Sequence, residues 1–106
     1  MPKFLVTARY TVDGVKGVQS KGGSARADAV KAMAEGVGGS MESFHFGFGD
    51  EDAYVIVDLP DNEAAAAVAL AVGASGGATV KTVVLMTPGE VDAAAEKSVN
   101  YRAPGQ

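Results

Sequence analysis

Residues 3–10, KFLVTARY, alternate loosely between apolar and polar and are rich in β-formers, which predicts a first strand. Val12, Val15 and Val18 recur at a spacing of three, as on one face of a short helix. Gly22-Gly23 ends that helix. Ser24 is placed to cap a second one, with Asp28 near its positive end. Val30, Met33, Ala34 and Val37 supply the apolar stripe of this second helix, and Gly38-Gly39 stops it. The first helical region is therefore expected to be interrupted at Gly22-Gly23.

Residues 40–48, SMESFHFGF, alternate again and predict a second strand. Gly49-Asp50-Glu51-Asp52 reads as a turn, and 53–59, AYVIVDL, as a third strand closing an antiparallel hairpin. Pro60 stops that strand and Asp61 caps the next helix, with Glu63 in its first turn. The alanine-rich run to Ser75 is a strong helix former, closed by Gly76-Gly77. Residues 79–86 predict a fourth strand. Thr87-Pro88-Gly89-Glu90 opens a last helix: a threonine cap, a proline in the first turn and a glutamate three past the cap. That helix is expected to run to about Lys97, with 98–106 an irregular tail. The order β-α-β-β-α-β plus a terminal helix is the split βαβ pattern. It predicts a single α+β domain over 1–106 of ferredoxin-like type, with a four-stranded antiparallel sheet, helices on one face and an extra C-terminal helix.

Two helices cover only one face of such a sheet, so the other face should be polar. Here it is not cleanly so. The first strand sets Phe4, Val6, Ala8 and Tyr10 against Lys3, Leu5, Thr7 and Arg9. The second sets Met41, Ser43 and His45 against Phe44, Phe46 and Phe48, and the fourth sets Val80, Thr82, Val84 and Met86 against Thr79, Lys81, Val83 and Leu85. Both faces carry apolar residues, and one mixes them with Arg, His, Thr and Ser. A bare face of that kind usually meets a partner, which predicts a homo-oligomer, a dimer or larger, joined face to face around a barrel-like interior.

The chain has 106 residues, 47 percent of them apolar, which suits one globular domain. Much of that fraction is alanine and aromatics are only 7 percent, so the core is expected to be thin. That adds weight to burial between subunits. The net charge of −4 and the interleaving of Lys16, Lys21 and Lys31 with Asp13, Asp28 and Glu35 leave no basic stripe for nucleic acid or an anionic membrane. With no cysteine there is no disulfide, thiolate nucleophile or cysteine metal site. No apolar stretch reaches the roughly 18 residues of a membrane span, and 1–10 does not read as a signal peptide. A bacterial cytoplasm is the expected location, and no cofactor or metal is expected.

Several stretches together carry a resemblance: KFLVTARYTVDGVKGV, GGSARADAV, ESFHFGFGDEDAYVIVDLPDNEAAAAVALAVGASG and LMTPGEVDAAAEKSVNYRAPG. Over nearly its whole length the sequence resembles the small bacterial GYD-domain proteins. The Gly-Tyr-Asp element is altered: Phe48-Gly49-Asp50-Glu51-Asp52 keeps the glycine and the closing aspartate but lacks the tyrosine. His45 stands where the family more often shows an aromatic. The resemblance implies a ferredoxin-like, dimeric α/β-barrel fold and implies no particular activity.

Few residues suggest chemistry. His45, the only histidine, has the pKa range of a general acid or base, but a lone strand histidine is more often simply packed or hydrogen-bonded. Arg9 among apolar neighbours could hold a carboxylate or form a salt bridge. Asp52 closes the altered motif and could orient a partner of His45. The acidic turn it belongs to lacks the ligand spacing of a calcium loop and reads first as a solvated hairpin. Arg26 follows Gly-Gly-Ser at a helix start, which could help hold an anion, although the lysine-serine ending of a phosphate loop is missing. Tyr10, Phe46, Tyr54 and Tyr101 are candidates for contacting a ligand, Tyr101 from a tail able to cover a neighbouring subunit.

Three readings follow. The first is a homo-oligomeric small-molecule-binding or accessory protein, with Tyr10, Arg26, Phe46, Tyr54 and Tyr101 at the ligand. The second, by analogy of fold alone, is a cofactor-independent monooxygenase- or isomerase-like enzyme using His45, Arg9 and Asp52. The third is an assembly module without a ligand.

Overall fold

A computed structural model describes residues 1–106. Its elements are β1 (Lys3–Tyr10), α1 (Val12–Lys21), α2 (Gly23–Gly36), β2 (Ser40–Phe46), β3 (Ala53–Asp58), α3 (Asn62–Ser75), β4 (Ala78–Leu85) and α4 (Pro88–Ala95). The four strands form one antiparallel sheet in the order β2-β3-β1-β4, the ferredoxin-like arrangement expected from the element order.

The local signals act where they stand. The Thr11 hydroxyl accepts from Gly14 N–H to start α1, and the Asp61 carboxylate accepts from Ala64 N–H to start α3. Gly76 ends α3 in the left-handed conformation, at φ 76°, that glycine adopts without cost. Thr87 and Glu90 form a complete capping box at α4. At the α1–α2 break the outcome differs: Gly22, at φ 92°, is the N-cap of α2, and Ser24 makes no capping bond. Gly23 is needed there for space, because a Cβ on it would lie 2.9 Å from the Phe46 ring.

Strand pairing places Phe4, Val6, Ala8 and Tyr10 on the helix-covered face, with Ala53, Val55 and Val57 of β3 on the same side. On β2 strict alternation fails. A bulge between Met41 and Ser43 puts Met41 opposite Val57, and Met41 packs on the core together with Phe44. Met41 therefore does not share a face with Ser43 and His45. The extra residue, Glu42, turns outward to Lys3 Nζ at 2.6 Å, and Lys3 also reaches Asp58 at 3.0 Å. These hydrogen bonds, to Glu42 first and then Asp58, hold the Lys3 ammonium above its ordinary range. The strand ends at Phe46, so Phe48 lies in the turn at φ 53°, yet its ring stacks on Phe46 at 5.7 Å.

The core is thin. Twelve residues are buried and six of them are alanine, which lets α2 and α3 approach the sheet closely while burying little area. Phe4 and Leu59 are its largest fully buried side chains. The radius of gyration is 16.8 Å, against about 13 Å for a compact domain of this length. Residues 86–106, α4 included, account for the difference: every one of them is exposed. α4 ends at Ala95, two residues short of the expected Lys97.

Candidate functional site

The candidate residues fall into three groups. The first lies where the β2–β3 turn meets the end of β1. Asp52 N–H donates to Ala8 O at 2.8 Å, and the Asp52 carboxylate accepts from Tyr10 N–H at 2.9 Å. Arg9 Nη1 donates to the carbonyl oxygen of Asp50 at 2.7 Å. Glu51 turns the other way and pairs with Lys81 of β4 at 2.8 Å, raising the Lys81 pKa through that hydrogen bond. The acidic turn is thus dispersed over three partners, and its carboxylates do not gather with His45 into a metal-binding group. Arg9 and Asp52 are brought together, and both fasten the turn to β1 through backbone groups.

The second group occupies the sheet face that the helices leave open. His45 sits there, exposed and directly opposite Tyr54, which is in turn opposite Thr7. Tyr54 is 38% exposed, and its ring lies against Gly47, where a Cβ would come within 2.7 Å. Toward the other end of this face stand Leu5, Ile56 and Val83, aligned across three strands by the register, with Val83 49% exposed. An apolar band beside a polar, aromatic end is thus left uncovered. Tyr101 is far from both, on the exposed tail.

The third group lies on the helix side. The Tyr10 and Phe46 rings are 6.5 Å apart, and the Arg26 guanidinium sits 6.0 Å above Tyr10, within reach of a cation–π attraction. Phe46 meets Phe44 edge-on at 4.9 Å. Beneath Arg26 is an apolar cavity of about 40 Å³ between α2, α3 and the sheet, lined by Val30, Met33, Phe44, Val68 and Val80 among others. Beside it a groove of about 260 Å³ runs between α1, α2 and the α3–β4 turn, past Gly14, Gly17, Lys21 and Gly77. Arg26 lines both. Its Nε is buried and has no hydrogen-bond partner, and no carboxylate pairs with it. An unpartnered guanidinium N–H beside apolar walls is an unfilled demand for an acceptor.

Of the five proposed ligand contacts, Tyr10, Arg26 and Phe46 converge, while Tyr54 lies on the opposite face and Tyr101 on the tail. Lys21 and the cavity wall went unnoticed as ligand contacts in the sequence. Val30 and Met33 announce themselves only as a helix stripe, and nothing local marks Lys21 as facing a groove. No helix is long and apolar enough to cross a membrane. No curated protein and no solved structure matches the chain. A family match exists, and it spans 4–95, from β1 through α4: this chain belongs to the GYD domain family.

Proposed function

We propose that this protein is a cytoplasmic small-molecule-binding protein that works as a homo-oligomer, a dimer or larger. The observation that carries the assembly is the C-terminal arm. α4 has a complete capping box at its N-terminus, yet it and the tail stand off the domain with Met86, Val91, Val99 and Tyr101 all more than half exposed. A capped helix that exposes apolar side chains without covering its own core is built to cover something else. A second copy supplies the matching surface, the open-face band of Leu5, Ile56 and Val83, with Val83 at 49% exposure. Small-molecule binding is supported by Arg26, which lines both the cavity and the groove, and by Tyr10, which lines the cavity beside it.

Light scattering across a concentration series tests the assembly. The intact protein should run at twice its 10.7 kDa mass or more. Ile56→Glu on the open face and Val91→Asp on α4 should each shift it toward monomer while keeping the circular dichroism of the fold. A wild-type monomer throughout the series would refute the reading.

A further inference from the structure

We propose that Arg26 is the anchor of a binding site for a small organic carboxylate, whose charged end lies in the groove between α1 and α2 and whose short apolar end enters the cavity beneath. This rests on the small-molecule reading and gives it a place and a ligand class.

The chemistry follows from what surrounds Arg26. Its Nε is buried and unpartnered, although a buried N–H is held by an acceptor almost wherever it is withdrawn from water. The other arginine on the domain body, Arg9, has its acceptor at 2.7 Å. The groove places a second cation, Lys21, near Arg26, and no Asp or Glu lines either space. An anion entering there meets two positive charges and no negative one. The cavity side is apolar apart from Arg26 and Tyr10, and about 40 Å³ accommodates only a chain end of a few carbons. The planar fork of arginine matches a carboxylate in two parallel hydrogen bonds. The ligand with both features is a short aliphatic carboxylate. The glycines serve the same end: Gly17 and Gly22 face the groove with open space where a Cβ would stand.

The test is an NMR titration of the intact protein with four probes: butyrate, acetate, the neutral isostere butyramide, and inorganic phosphate. Butyrate should move the amides of Lys21–Ala29 and Gly77 and the side-chain Nε–H of Arg26, and should bind at least about tenfold more tightly than butyramide. Arg26→Gln should weaken butyrate about tenfold, with the remaining amide spectrum showing an intact fold. Met33→Phe, which fills the cavity and leaves the arginine in place, should bring butyrate down to the affinity of acetate. Butyramide binding as well as butyrate, Arg26→Gln binding unchanged, or phosphate binding more tightly than butyrate would each overturn the proposal. So would a ligand response confined to His45 and Tyr54, although small-molecule binding itself would then stand. Light scattering on the same samples reads the oligomer separately, so failure of the assembly and failure of this site are told apart.

Discussion

Replacing Asp52 by alanine should cost stability, because its carboxylate accepts the Tyr10 amide and so locks the β2–β3 turn to the end of β1. The bond is charge-assisted and partly buried, and removing the acceptor leaves the Tyr10 N–H without a protein partner. Hydrogen bonds to charged groups contribute about 1.5–3 kcal/mol, so a loss of about 2 kcal/mol is expected. Asparagine keeps one oxygen acceptor and should cost about half as much. Arg9→Ala removes an exposed bond to the same turn and should cost about 0.5–1 kcal/mol. Both side chains hold one loop, so the double variant should be less destabilised than the sum of the two singles. Urea unfolding followed by circular dichroism reads all four variants. With a slope of about 1–3 kcal/mol/M, Asp52→Ala should lower the midpoint by about 1 M. Protein concentration must be fixed across the series, since an oligomer's stability depends on it. Asp52→Ala within about 0.5 kcal/mol of wild type would show that the strap does not hold the turn, and the reasoning would fail.

Two further predictions concern glycine spacing and α4. Gly39→Ala places a Cβ 2.1 Å from the Asp58 carbonyl oxygen, where backbone meets backbone, and should cost about 1–3 kcal/mol; Gly73→Ala, in α3 with open space around it, should instead stabilise by about 0.5–1 kcal/mol in the same denaturation assay. In α4 the Thr87 backbone N–H, and then its hydroxyl, hold the Glu90 carboxyl below its ordinary range. A depressed folded pKa means the contribution is present above the unfolded value of about 4.3 and is lost as pH falls through the folded one. The ¹³Cα shifts of 90–95 should therefore move toward coil on acidification, and Glu90→Gln should remove most of that dependence; an identical acid response in the variant would refute the role of the box.

What the sequence determined by itself is what short-range physics determines. The caps at Asp61 and Thr87, the stop at Gly76 and the break at Gly22-Gly23 each act within a few residues, so the element order and the ferredoxin-like α+β class could be read directly from the chain. The thin core was legible too, because alanine buries little area wherever it is placed. Tertiary structure alone decided the rest. The bulge at Met41 depends on pairing with β3, and no alternation rule within β2 reveals it. Arg9, Asp52 and Arg26 are equally polar as letters. They differ because the register brings a backbone acceptor to Arg9 and a backbone donor to Asp52 from some 40 positions away, and brings no acceptor to Arg26. Whether a charged side chain fastens the fold or is left open to a ligand depends on long-range partners, and those exist only once the sheet is assembled.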